Sequence, residues 1–250
     1  MYNFDYVKPG SVAEAVAALQ SEDATAISGG QTLIPTLKAR LAQPSTLVDL
    51  TGAVSNAISA TGDGGVEIGG AARHADVAGS SAVPGWLRHV AAHIGDPQVR
   101  NKGTIGGSLA NNDPAACYPA AALGTGATIN TNTRSIAADD YFQGMFETAL
   151  EEGEIITSVT FPGGIEAANY QKFVQPASRF ALVGVFVART AAGARVAVTG
   201  ASEGGVFRWT EAEEALSNNW SEDAVPGAPD ANGMIADLHG SAEYRAHLIS

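Results

Sequence analysis

The chain has 250 residues, 45% hydrophobic and 16% charged, enough apolar material to bury a core and too much for a disordered chain. Its formal net charge of −12 argues against a nucleic-acid partner, because phosphate binding is dominated by Lys and Arg. A single cysteine, Cys117, excludes an internal disulfide framework and excludes a self-held iron–sulfur cluster, which needs four such ligands.

The N-terminus, MYNFDYVKPG, lacks the basic start and apolar stretch of a signal peptide, and no apolar run reaches the length of a membrane span. A cytoplasmic location is expected. Ser11 and Glu14 form a capping box ahead of Val12, Ala15, Val16 and Leu19, which recur at helical spacing. A short strand, 24–27, then feeds a glycine loop, and Leu33, Ile34, Leu37 and Leu41 follow with helical period. Residues 46–50 read as the next strand. From Val66 strand-like runs alternate with turns, and 83–94 reads as a helix in spite of Pro84 and Gly85 at its start. Asp113-Pro114 suits the cap and first turn of a short helix that Pro119 interrupts or restarts. Residues 128–130 and 135–137 read as a hairpin and 154–161 as a strand. The acidic cluster Glu151, Glu152 and Glu154 reads as a solvated turn. Pro162-Gly163-Gly164 marks a boundary. Beyond it, 170–174, 182–189 and 195–199 are strand candidates, with a turn at 191–193. Thr210 and Glu213 are expected to cap a helix through Leu216. Residues 221–234 read as a loop, and Tyr244 opens a last helix to Ile249.

Six Gly-Gly steps occur, and two stand out by their flanks: Ser28-Gly29-Gly30-Gln31-Thr32-Leu33 and Gly103-Thr104-Ile105-Gly106-Gly107-Ser108. Glycine admits positive φ and lets a ligand approach bare N–H groups, while Ser and Thr add hydroxyls beside those amides. Two such loops can clasp an extended diphosphate between them. In a chain this acidic, local backbone dipoles must do that work in place of a positive field.

The stretch 26–50 (AISGGQTLIPTLKARLAQPSTLVDL) resembles the first FAD-binding segment of the flavoprotein medium subunits of molybdenum hydroxylases. That family includes the medium subunits of aerobic carbon monoxide dehydrogenases and the flavin domain of xanthine dehydrogenases. The stretch 96–122 (DPQVRNKGTIGGSLANNDPAACYPAAA) resembles the second, with Thr-Ile-Gly-Gly-Ser as its specific core. The resemblance implies an α+β fold: a two-subdomain FAD-binding (PCMH-type) unit, followed by a small C-terminal domain of antiparallel sheet plus helices. The expected divisions are 1–55, 56–164 and 165–250, the last without its natural tail.

Carried over by that resemblance, Ile27, Ser28, Gly29, Gly30, Gln31, Thr32 and Leu33 form the first cofactor loop. Thr104, Gly106, Gly107, Ser108 and Asn111 form the second, with amides of both loops on the FAD diphosphate. Asp113 has two readings, a helix cap or an acceptor for the ribose or adenine. Cys117 stands where many relatives carry an acid that reaches the adenosine, and it reads as a buried, inert thiol. Ile155 and Ile156 match an aliphatic position near the flavin or adenine, and read equally well as strand core. Lys172 matches a lysine that approaches the flavin ring, or is an exposed strand lysine. Phe180 stands where relatives place an aromatic residue near the ring face, or packs in the core. His89 and His93, four apart, lack a third ligand and read as ordinary helix residues; no metal site is expected.

The resemblance further implies an oxidoreductase subunit without a catalytic residue of its own. Substrate is oxidised at a molybdenum cofactor on a large subunit. Electrons pass through iron–sulfur clusters on a small subunit to this FAD, and onward to a terminal acceptor. The implied assembly is a dimer of heterotrimers. Two other readings stand beside it: a free-standing FAD-dependent oxidoreductase, and a non-catalytic scaffold subunit.

Overall fold

The computed structural model describes residues 1–250 as an α+β molecule with three principal sheets. The first is parallel, built from β1 (Asp5–Val7), α1 (Val12–Leu19), β2 (Ala24–Ile27), α2 (Leu33–Lys38) and β3 (Thr46–Asp49), in strand order β1-β3-β2. Parallel neighbours need crossovers, and the two helices supply them. Ser11 Oγ accepts the Glu14 N–H at 3.2 Å, but the Glu14 carboxylate accepts from Gly10 N at 2.8 Å, one residue outside the expected box. Ala15 buries against Val48 and Ile155 in one apolar cluster. Leu41, expected on the buried face of α2, is 79% exposed, because Ala39 closes that helix two residues earlier.

A second, antiparallel sheet has the order β4-β5-β10-β6-β7. It is formed by β4 (Ile58–Ala60), β5 (Val66–Gly69), β6 (Thr128–Thr131), β7 (Ser135–Ala137) and β10 (Ile156–Phe161). Between β5 and β6 run α3 (His74–Gly79), α4 (Gly85–Ala92), α5 (Pro97–Arg100), α6 (Ile105–Asn111) and α7 (Cys117–Thr125). The helix α8 (Ala138–Tyr141) and the small hairpin β8 (Phe142–Gly144) and β9 (Glu147–Thr148) follow β7. Pro84 is the N-cap of α4, so that helix starts at Gly85 and not at Val83. No helix begins at Asp113-Pro114. Asp113 Oδ1 instead accepts the Ala115 N–H at 2.9 Å, closing a side-chain turn, and α7 starts at Cys117. Pro119 lies within the first turn of α7, where an N–H has no helical acceptor to lose. Every residue of α7 is buried, Cys117 among them.

The third sheet is a meander of β11 (Ile165–Val174), β12 (Ala181–Thr190), β13 (Gly193–Thr199) and β14 (Phe207–Arg208), with α9 (Thr210–Asn218) and α10 (Ala242–Ile249) packed on it. The expected Thr210–Glu213 cap does not form. Trp209 occupies the N-cap, and the buried Glu213 accepts from Val196 N at 2.8 Å and from Arg208 Nε at 2.6 Å. A carboxylate with a sheet amide and a guanidinium in reach gains more there than from one helix amide. Arg245, 4% exposed, holds the Leu182 and Gly200 carbonyls and pairs with Asp237 at 2.8 Å.

The last two sheets share α7. Its Gly124 faces Phe186 so closely that a Cβ would lie 2.5 Å from the ring. Thr199 Oγ1 donates into the loop before α7, with the Pro114 and Ala116 carbonyls at 2.7 and 2.8 Å. One apolar cluster accordingly runs from Val66 and Ile68 through α7 to Phe186 and Ala197. No helix is long and apolar enough to cross a membrane.

Candidate cofactor site

The two glycine loops meet face to face. β2 ends at Ile27 and delivers Ser28–Thr32 to the edge of the parallel sheet, and α5 delivers Gly103 and Thr104 opposite. A Cβ on Gly29 would fall 2.6 Å from Gly103 Cα and closer still to the Lys102 carbonyl oxygen. Gly103 is pinned from behind, where its Cβ would meet His74 Nε2 at 2.5 Å, and Gly106 would meet the Gly70 oxygen at 2.6 Å. Gly30 takes φ of +69°, a conformation glycine adopts at no steric cost. A hydroxyl bridge joins the loops: Thr104 Oγ1 donates to Ser28 Oγ at 2.9 Å and accepts the Gly107 N–H at 3.2 Å as the N-cap of α6.

The loops are not equivalent donors. The N–H groups of Ser28, Gly29, Gly30, Gln31 and Thr32 have no acceptor within the chain, five consecutive amides lining one cavity. Backbone donors are almost always paired unless water or a ligand takes them, so this run is a ready anion cradle. In the second loop Gly106 N already donates to Gly70 O at 2.9 Å, and Ser108 N to Thr104 O at 3.0 Å. The expected amide contacts from Gly107 and Ser108 are therefore engaged inside the chain. That loop offers the Thr104 N–H, which has no acceptor within the chain, the Ser108 hydroxyl and the close approach its glycines permit.

The cavity has a volume of about 520 Å³, within the range of small-molecule sites, and all the residues proposed from sequence line it. These are Ile27–Leu33, Thr104, Gly106–Ser108, Asn111, Asp113, Ile155, Ile156 and Lys172. Burial pushes the Asp113 carboxyl above its ordinary range, while the Ala115 amide partly opposes this. Only one of its oxygens is held by that amide, leaving acceptor capacity for a hydroxyl. Ile155 and Ile156 are both strand core and cavity wall, so their two readings coincide. Lys172 is half-buried, with Nζ donating to His93 O at 2.9 Å. Phe180 is no core residue: it is 48% exposed at the cavity edge. His89 and His93 are bonded to the Tyr170 and His89 carbonyls at 3.2 and 2.8 Å.

Glu154 overturns the solvated-turn reading. Its side chain is 2% exposed, lines the cavity, and gathers Arg134, Thr131, Thr133 and the Glu151 amide. The Arg134 hydrogen bond foremost, then the threonines and the amide, lower its carboxyl to about 2 against the opposing effect of burial. His74 and Arg179 also line the cavity, and the sequence reading missed both. His74 follows no recognisable motif, and burial, with the Arg100 charge second, lowers its imidazole to about 4, so it packs as a neutral ring.

Thr104→Val tests the hydroxyl bridge. It keeps the shape but removes the α6 cap and the Ser28 contact, so a loss of about 1–2 kcal/mol is expected. Thermal unfolding of the variant beside Thr104→Ser, which keeps the hydroxyl, reads this directly.

The residues present fit FAD: free amides for a diphosphate, an apolar slot, an acceptor carboxyl and a cation. Residues 2–164 match the family described as the FAD binding domain in molybdopterin dehydrogenase. The nicotine 6-hydroxylase medium subunit of Paenarthrobacter nicotinovorans is 35% identical over 98% of this chain and 92% of its own length. The carbon monoxide dehydrogenase medium chain of Afipia carboxidovorans is 33% identical over 98% and 92%. Among solved structures, the carbon monoxide dehydrogenase of Hydrogenophaga pseudoflava lacking the Mo-pyranopterin moiety matches with a TM-score of 0.86. The identity there is 30%, covering 99% of this chain and 93% of that one. Matched over most of its length by family, relatives and structure, the chain belongs to the oxidoreductase family of FAD-binding medium subunits of molybdenum hydroxylases.

Proposed function

We propose that this chain holds FAD between its two glycine loops and relays electrons within a complex containing a large molybdenum-cofactor subunit and a small iron–sulfur subunit. The assembly we favour is a dimer of heterotrimers in the cytoplasm. The observation that carries the cofactor reading is the run of five amides without an acceptor, in a cavity-lining loop that a hydroxyl bridge joins to the second loop. Ser28 to Thr32 would hold the diphosphate by N–H donation, with Ser108 adding a hydroxyl. Asn111 and Asp113 would take the adenosine end, Ile155 and Ile156 the apolar wall, and Lys172, Arg179 and Phe180 the flavin ring. The cation of Lys172, oriented by the His93 carbonyl, favours a reduced, anionic ring. When bound, FAD supplies two-electron chemistry between the partner's clusters and a terminal acceptor. Cys117 is buried and alone, so the clusters belong to another chain. The units 1–55, 56–164 and 165–250 are our division of the chain, supported by its three principal sheets.

Purification of the native protein tests this reading. One FAD per chain is expected, together with iron–sulfur absorbance and molybdenum from two copurifying subunits. FAD without partners would favour a free-standing oxidoreductase. Folded protein that binds no flavin would refute the cofactor assignment.

A further inference from the structure

The β11–β12 turn, residues 175–180, reaches the cavity edge with side chains mostly in solvent, so no apolar core fixes its shape. Hydrogen bonds do, and they converge on one side chain. Gln175 Oε1 accepts the Ala177 and Ser178 N–H groups at 2.6 and 2.9 Å. Its backbone closes the same turn, with Gln175 N donating to Phe180 O at 2.9 Å and Arg179 N to Gln175 O at 2.8 Å. Because Oε1 faces two donors, Nε2 is the end that meets His239 Nδ1 at 3.1 Å, and it donates there. The Asp237 carboxylate accepts the His239 backbone N–H at 2.9 Å and pairs with the buried Arg245. A continuous set of contacts thus ties the cavity edge to α10. Within the turn Arg179 sits at φ of +62°, the left-handed region that non-glycine residues rarely adopt. Such a conformation persists where its surroundings over-determine it, and the Gln175 contacts do so here.

We propose that Gln175 is a positioning residue for the flavin end of the site: its side chain folds the turn that sets Arg179 and Phe180 at the cavity. The proposal rests on the FAD reading above. Arg179 contributes a second cation beside Lys172 where negative charge develops on reduction, and Phe180 closes the edge of the slot. Releasing the Gln175 contacts lets Arg179 leave its strained conformation and swing into solvent. The diphosphate grip, at the other loops, is untouched.

The test uses the FAD-loaded protein in its native complex, with Gln175→Ala, Gln175→Glu and Arg179→Gln. FAD content, the flavin reduction potential and tryptic cleavage after Arg179 are measured. In Gln175→Ala, FAD content should hold, and cleavage after Arg179 should accelerate about tenfold as the turn opens. The reduction equilibrium should move about tenfold toward the oxidised form, roughly 30 mV for a two-electron couple. Glutamate still accepts both amides, so Gln175→Glu should restore slow cleavage after Arg179, while its added negative charge keeps the potential on the oxidised side. Arg179→Gln should reproduce the shift in potential by removing the charge alone. Faster cleavage with an unmoved potential would reduce Gln175 to a structural role and overturn the proposal. So would a potential insensitive to Arg179→Gln. Wild-type protein free of FAD would overturn the cofactor reading and this proposal with it, whereas bound FAD with an unmoved potential overturns this one alone.

Discussion

Gly29→Ala is expected to lower FAD affinity by at least about a hundredfold, equivalent to roughly 3 kcal/mol. The added methyl meets backbone, Gly103 Cα and the Lys102 carbonyl, so no side-chain rotation can relieve it. The loops must separate, which stretches the Ser28–Thr104 bridge and turns the free amides away from a common target. The cost to folding should be smaller, about 1–3 kcal/mol, typical of overpacking one methyl. Gly62→Ala is the matched control, because nothing lies within 4 Å of its Cβ position. Released flavin per folded chain, with Kd by fluorescence titration, decides the matter. Full retention in Gly29→Ala would show that close apposition of the loops is not what binds the cofactor.

The second large effect concerns acid stability. Glu154 is held ionised in the native chain, its carboxyl lowered to about 2, and an unfolded glutamate titrates near 4.5. A group lowered by folding stabilises above the unfolded value and loses that contribution as pH falls through the window from 4.5 to 2. The contribution at neutral pH is on the order of 2–3 kcal/mol, discounted because Arg134, its main partner, is partly solvated. Glu154→Gln keeps the volume and removes the charge. Its Tm at pH 7 should fall by about 4–12 °C, at the 2–4 °C per kcal/mol of a chain this size. The gap between variant and wild type should narrow steadily below about pH 4.5, as the wild type loses the same interaction. A gap independent of pH would assign the loss to the changed hydrogen bonds with Thr131, Thr133 and the Glu151 amide and not to charge.

Much of this site was legible because its chemistry is local. A Gly-Gly step flanked by Ser, Thr and Gln, repeated once in a second setting, is contained within six residues, and every residue proposed from sequence lines one cavity. Element types were equally readable wherever periodicity ran for several residues, as in α1, β10 and β12. What sequence concealed depends on partners distant in the chain. Glu154 reads as one of three acids in a turn, and only the fold brings Arg134 and Thr131 to it across the β6–β7 hairpin. Glu213 reads as half of a capping box until β13 presents an unpaired amide. Asp113 and Leu41 misled for the opposite reason. A local rule fitted them, and a tighter turn or an earlier helix end replaced it.

The burial of α7 on every side has a consequence for how this molecule can be divided. A helix with no solvent face has no surface at which one folding unit could stop and the next begin. The matched domain ends at residue 164, yet Cys117 and Tyr118 of its helix lie in the same cluster as Phe186 and Ala197, which belong to the later sheet, and Gly124 abuts Phe186 directly. The boundary that sequence families recognise is therefore one of inheritance, not of cooperativity. Melting of the third sheet would strip α7 and, through the Pro114 and Ala116 carbonyls, loosen the stretch that carries Asp113. Cofactor retention and the integrity of the C-terminal sheet should rise and fall as one thermodynamic event.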